Sequence, residues 1–219
     1  MSIRAGFGPI DIDVRDNLIS QNTSKSNNIL TEYSTAGGLM IGLGCSGTVS
    51  SNTVTFNKIE VLENKNCFGA GVFIGGNGTD LLFDNNFVMK NLVTKGNCIG
   101  GGVLVFDGGA TVSNNVIQNN TATWGGGIGV WNNNGDSLSI IINNTISGNE
   151  SAFGGGLYVL NAHAVVINTI LWNNEASEEG AEIFELESNL EVRHSDIEGG
   201  WPGNGNMNVD PIFRPDGYH

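Results

Sequence analysis

Thr111-Val112-Ser113-Asn114-Asn115-Val116-Ile117-Gln118-Asn119-Asn120-Thr121-Ala122-Thr123-Trp124-Gly125-Gly126-Gly127-Ile128-Gly129-Val130-Trp131 reads as one turn of a coil. Thr111-Val112-Ser113 is a short alternating strand, Asn114-Asn115 a turn, Val116-Ile117 a second strand and Gln118-Asn119-Asn120-Thr121 a second turn. Trp124-Gly125-Gly126-Gly127 bends the chain into a third strand, Ile128-Gly129-Val130-Trp131. Short apolar runs bounded by Asn and Gly are strand and turn signals. The same plan recurs on either side. An aliphatic residue stands three positions before an asparagine at Ile19/Asn22, Val61/Asn64, Val88/Asn91, Ile117/Asn120, Ile146/Asn149 and Ile170/Asn173. From Asn64 onward these asparagines are 24 to 29 residues apart. Glycines follow each copy at Gly69-Ala70-Gly71, Gly100-Gly101-Gly102, Gly125-Gly126-Gly127 and Gly154-Gly155-Gly156, with Gly180-Ala181-Glu182 as a weaker instance. Units of this length that cannot bury an apolar face alone stack on their neighbours as a solenoid.

Three strands and three turns per coil predict an all-β fold, a single-stranded right-handed parallel β-helix of about six to seven coils. Stacking generates inward columns. One runs Val61, Val88, Ile117, Ile146, Ile170 and Ile197; another Val72, Val103, Ile128, Leu157 and Ile183; a third Phe83, Val112, Ile141, Val165 and Val192. These are core, at about 1.5–3 kcal/mol for each fully buried branched or aromatic side chain. Asn64, Asn91, Asn120, Asn149 and Asn173 are expected above one another at the ~4.8 Å strand spacing, each amide donating to the next, as a structural ladder.

Composition agrees. The 219 residues include 33 glycines and 31 asparagines, and only 14% are charged. No apolar 3.6-residue period is present, which excludes a helical domain. The coils are expected over residues 10–200, with 201–219 as an exit or cap segment, all in one domain that is a fragment of a longer protein. A formal charge of −13 repels polyanions on average, so nucleic acid and an anionic bilayer drop out as partners. No stretch of about 18 apolar residues is present to span a membrane.

At these residues the chain resembles bacterial right-handed parallel β-helix repeat proteins of the pectin-lyase-like superfamily, in particular the polymorphic outer membrane protein type of repeat. That repeat joins an aromatic or aliphatic-x-x-Asn element to Gly-Gly-small-aliphatic. It stands here as Ile117-Gln118-Asn119-Asn120 with Gly126-Gly127-Ile128, Ile146-Ser147-Gly148-Asn149 with Gly155-Gly156-Leu157, and Val88-Met89-Lys90-Asn91 with Gly101-Gly102-Val103. The resemblance implies an extracellular or cell-surface location, with the signal and anchor lying outside this chain. It leaves open an adhesin-like module or a carbohydrate-active enzyme, because fold alone does not assign chemistry.

A polysaccharide lyase needs a base, commonly Lys or Arg, with Ca²⁺ or Arg to stabilise the developing anion. Lys90, Lys95 and Arg193 are the candidates, and Ca²⁺ is expected only under that alternative. A hydrolase needs two carboxylates about 5–10 Å apart. Asp84 stands alone on its column above Ser113, and Glu178, Glu179, Glu182, Glu185 and Glu187 read as a solvated run. No His/Cys spacing suggests a metal site, and no cofactor motif is present. Strand alternation turns Phe73, Leu104, Tyr158 and Phe184 outward beside Phe106 and Trp131, with Gly129 interrupting the row. An open aromatic row suits a polysaccharide or another surface protein, or a dimer face. The competing expectation is a row covered by the Thr23–Ala36 loop, by a tail or by a neighbouring segment. Cys67 and Cys98 should stack on neighbouring coils, either as small buried thiols, which we expect more, or as a disulfide. The function expected is therefore a non-catalytic β-helix scaffold that binds along the aromatic face, with a lyase or glycoside hydrolase as the alternative.

Overall fold

The computed structural model describes residues 1–4, 10–26, 33–42, 44–61, 65–76, 79–132 and 137–213. All described regular structure is β, and every strand pairing is parallel. Three seven-stranded sheets wrap one axis. The first holds the five-residue strands Asp80–Asp84, Gly109–Ser113, Leu138–Ile142, His163–Ile167 and Asn189–Arg193, preceded by Ile10–Arg15 and Cys45–Ser50. The second holds short strands such as Phe87–Met89, Val116–Gln118, Thr145–Ser147 and Ile170–Trp172. The third follows the glycines: Val72–Gly75, Val103–Phe106, Ile128–Trp131, Leu157–Leu160 and Ile183–Leu186. Smaller sheets, including Asn66–Phe68 beside Asn97–Ile99, bridge the second and third faces. Each coil therefore crosses each main face once, and seven coils stack.

One inward column on the third sheet is Leu39, Val72, Val103, Ile128, Leu157 and Ile183 in register, all buried. On the first sheet Val49, Phe83, Val112, Ile141, Val166 and Val192 align, and on the second Ile19, Val54, Val88, Ile117, Ile146, Leu171 and Ile197. Three expected members are displaced. Val61 pairs with Ser26 on a bridging sheet, and Val54 takes its place in the column. Ile170 and Val165 each point away from the core, which is reached instead by the next residues, Leu171 and Val166.

Two asparagine ladders run along two corners of the cylinder. The expected one is Asn22, Asn57, Asn91, Asn120, Asn149 and Asn174, with amide-to-amide bonds of 2.8–3.0 Å and sequence steps of 35, 34, 29, 29 and 25. Each member accepts on Oδ1 the backbone and side-chain N–H of the asparagine one coil earlier, and its own Nδ2 also donates to a carbonyl of that earlier coil, as Asn120 does to Val88. Buried turn groups that cannot join a strand ladder are thereby satisfied. Asn173 is not a member: it is exposed at φ 57°, and its neighbour Asn174 is buried in the ladder. Asn64 lies outside the described residues, and Asn57 is the ladder member of its coil. The second ladder, unforeseen, is Asn17, Asn52, Asn86, Asn115 and Asn144, continued by Thr169, Ser195 and Asn206.

Asn206 closes the C-terminal end. It accepts the Ser195 N–H and donates to the carbonyls of Val192, Trp201 and Pro202, so residues 201–206 fold across the last coil and Trp201 packs on the core.

Candidate functional site

The third-sheet glycines shape the most distinctive surface. Gly69, Gly100, Gly125, Gly154 and Gly180 lie at φ between 64° and 77°, a left-handed corner that L side chains rarely adopt. A Cβ at Gly100 would sit 2.6 Å from Leu104 Cβ, and one at Gly180 2.7 Å from Phe184 Cβ. The corner is so tight that the residue before each glycine folds back over the outer face of the strand after it. Phe68, Ile99, Trp124 and Phe153 form this covering column, stacked by parallel bridges.

The outer row is therefore not open along its length. Phe73, Leu104, Gly129, Tyr158 and Phe184 align as expected, but Phe73, Leu104 and Tyr158 are buried, and Phe106, Trp131 and Phe184 are half-buried. Phe68, Ile99, Trp124 and Phe153 of the same coils supply cover, and Ala36, at the end of the Thr23–Ala36 loop, packs against the same cluster; residues 27–32 of that loop lie outside the described ones. Phe68 stacks on Phe106 at 5.3 Å, Phe106 meets Trp131 edge-on at 5.1 Å, and Tyr158 stacks on Phe184 at 5.6 Å. Burial pushes the Tyr158 hydroxyl above its ordinary pKa.

Where Gly129 interrupts the row, the gap is filled by its neighbours. Ile99 leans into the gap, since a Cβ on Gly129 would lie 2.6 Å from its Cγ2. Beside it is a cleft of about 200 Å³ walled by Phe68, Trp124, Trp131, Tyr158 and Leu160, with the amides of Asn66 and Asn97 at its edge. Among the described residues no charged side chain lines it. Trp131 Nε1 is buried there and, among the described residues, has no hydrogen-bond acceptor. Asn66, Asn97 and Trp124 were missed in the sequence; the lone Gly129 in an otherwise bulky row was the available signal.

Lys90, Lys95 and Arg193 do not converge. Lys90 sits at a left-handed corner with Nζ 5.4 Å above the Phe56 ring, and Arg193 Nη1 donates to Glu191 at 3.0 Å. Four coils separate Lys90 from Arg193, about 19 Å along the axis at ~4.8 Å per coil. Lys95 lies between Leu92–Val93 and Asn97–Ile99, on a bridging segment. Asp84 aligns with Ser113 and accepts hydrogen bonds of 2.7 Å from Ser113 Oγ and Asn114 Nδ2. Among the described residues no group of three or more His, Cys, Asp and Glu could hold a metal ion. No helix there is long and apolar enough to cross a membrane.

Cys67 and Cys98 pair in register and form a disulfide, while Cys45 is free and buried. Glu182 departs from its neighbours in the acidic run: it is buried, and desolvation, with Glu198 beside it, raises its carboxyl to about 8 against the pull of the Asn174 hydrogen bonds.

Fold and corners together define a parallel β-helix repeat protein. The family model described as right handed beta helix region matches residues 65–209, more than half of the chain, and the chain belongs to that family. No curated protein and no solved structure matches it.

Proposed function

We propose that this chain is a non-catalytic module of an extracellular or bacterial cell-surface protein, a rigid β-helix that holds an uncharged carbohydrate in the cleft at Gly129. The observation that carries this is the meeting of Trp124, Trp131 and Tyr158 around a recess edged by two amides. The C–H face of a sugar ring stacks on aromatic carbon, and its hydroxyls can take up the Asn66 and Asn97 amides. A formal charge of −13, with no cation lining the cleft among the described residues, favours a neutral sugar over a polyuronate. The Cys67–Cys98 disulfide supports an oxidising, extracytoplasmic compartment.

A polysaccharide lyase has less support, because Lys90, Lys95 and Arg193 stand apart and Arg193 is already paired to Glu191. Ca²⁺ belongs only to that alternative. Another surface protein or a second copy of the chain could use the same aromatic face, and light scattering at rising concentration tests the latter.

Titration calorimetry of wild type and Trp131→Ala with neutral and uronic oligosaccharides tests the assignment. Wild type should bind a neutral saccharide and Trp131→Ala should lose at least tenfold in affinity, roughly the 1–3 kcal/mol of a base–aromatic stacking contact. Binding that survives Trp131→Ala, preference for uronates, or release of unsaturated product would overturn it.

A further inference from the structure

The C-terminal end of the inner ladder breaks the rule that every other coil follows. In each earlier coil the last glycine of the corner lies against the ladder asparagine of the same cylinder edge: a Cβ on Gly102 would be 2.9 Å from Asn120 Nδ2, and one on Gly156 2.9 Å from Asn174 Nδ2. At the corresponding corner the residue is Glu182. Counting three positions on from the core residue Ile197, as from Ile146 to Asn149 and from Leu171 to Asn174, brings the next ladder position to Gly200, which has no side chain. The Glu182 carboxyl fills that vacated place. Its Oε1 accepts the Asn174 backbone N–H at 3.1 Å and its Oε2 accepts Asn174 Nδ2.

A carboxylate can only accept, whereas every asparagine in the ladder both accepts and donates onward. A protonated carboxyl restores both functions, and its onward acceptor is present. Glu198 lines the same recess as Glu182, and its Oε2 accepts the Asn173 N–H at 2.7 Å. Glu198 opens the segment that seals the molecule: Ile197 N–H donates to the Met207 carbonyl at 3.0 Å, Met207 N–H to the Ser195 carbonyl at 2.9 Å and Gly199 N–H to Asn208 Oδ1, and Trp201 lies on the core.

We propose that Glu182 and Glu198 form a proton-operated latch, in which one shared proton holds the cap of residues 199–207 against the last coil and its loss releases that cap. A charge on Glu182 is disfavoured first by its own burial and then by the like charge of the exposed Glu198 at the mouth of the recess. Glu182 is only 7% exposed, and among the described residues its recess is otherwise lined by Gly180, Ala181, Ile183, Ile197, Gly199, Gly200 and Trp201, which carry no compensating charge. The other titratable groups of this end face elsewhere. Asp196 accepts the Val209 N–H, and the His194 ring lies against Gly205 at the opposite corner of the cap.

The sign follows from linkage. The folded carboxyl titrates near 8 against 4.5 for the ordinary group, so between these values the closed form binds more protons than the open one, and closure weakens as pH rises. Amide hydrogen exchange of residues 197–207, corrected for the chemical exchange rate, reads this directly. In wild type the cap-opening equilibrium should rise by up to about tenfold per pH unit between pH 5 and 8. In Glu182→Gln the side-chain carbonyl takes both Asn174 donors and the amide donates to Glu198, so the opening constant should stay flat. Glu198→Gln removes the neighbouring charge but not the burial, so it should move the upper end of the pH window to lower pH, and His194→Gln should keep the wild-type profile. An unchanged slope in Glu182→Gln overturns the latch, as does a slope that disappears in His194→Gln. Should Glu182→Gln fail to fold, Glu198→Gln decides: a pH window whose upper end moves to lower pH supports the latch and an unmoved profile overturns it.

Discussion

At 119–120 and again at 173–174 two asparagines stand side by side and perform different tasks. Asn119 and Asn173 take the left-handed conformation, at φ 55° and 57°, that turns the chain, which asparagine tolerates better than most residues. Asn120 and Asn174 point inward and join the ladder. Replacing Asn120 by Ala removes the acceptor for Asn91 N and Nδ2 and the donor to Val88 O, all buried. Loss of these partners should cost about 3 kcal/mol in a urea denaturation series, whereas Asn173→Ala, at an exposed corner, should cost about 1 kcal/mol. Equal effects would place Asn173 in the ladder after all. The aliphatic-x-x-Asn offset was legible in the sequence and is physically meaningful, since Val54/Asn57 and Leu171/Asn174 obey it. Val61/Asn64 and Ile170/Asn173 obey it too, and only burial decides between such pairs; a single chain of letters carries no burial. The second ladder escaped notice for a related reason. Its members Asn17, Asn52, Asn86, Asn115 and Asn144 each follow a strand whose apolar content differs from coil to coil, and Thr169 and Ser195 replace the amide by a hydroxyl.

Among elements, the strand after each glycine corner was readable from its apolar alternation, and the row Phe73, Leu104, Gly129, Tyr158 and Phe184 came out in register. Its cover was not readable. Phe68, Ile99, Trp124 and Phe153 lie before the corner, and they meet the row only because a left-handed glycine reverses the chain; no period of two or 3.6 records such a contact. The candidate binding surface thus contracts from a long aromatic row to a cleft lined by Ile99, Trp124, Trp131 and Tyr158. The same bridging segment carries the disulfide. Cys67 and Cys98 were placed on neighbouring coils by their spacing to the glycines, yet spacing cannot tell a bond from two thiols. The bond closes a loop with a sequence separation of 31, so the Cys67→Ser/Cys98→Ser double variant should lose ~3–4 kcal/mol by the chain-entropy relation. A chemical-denaturation midpoint that does not move, or one that is equally insensitive to reductant in wild type, would show that the bond does not constrain the unfolded chain.

For the whole molecule, each coil touches only the coil before and the coil after, so stability is a sum of interfaces along one axis. Position along the axis should then matter as much as burial. Val112 and Val192 lie in the same inward column and are both buried, but Val112 is sandwiched between Phe83 and Ile141, whereas Val192 has Val166 on one side and the cap on the other. Removing two methyl groups deprives the protein of about 1.6 kcal/mol of transfer energy at ~0.8 kcal/mol per group, plus a cavity term that grows with how little the surroundings relax. The centre cannot relax without breaking two interfaces, so Val112→Ala should cost about 2–3 kcal/mol of global stability. At the end, the last coil and its cap can open while the other coils stay folded, as low-stability units do. Val192→Ala should therefore leave the global unfolding midpoint nearly unchanged and instead speed amide exchange in residues 189–207. If both substitutions shift the global midpoint equally, the solenoid unfolds as a single unit, and the cap could not open independently in the way the Glu182–Glu198 latch requires.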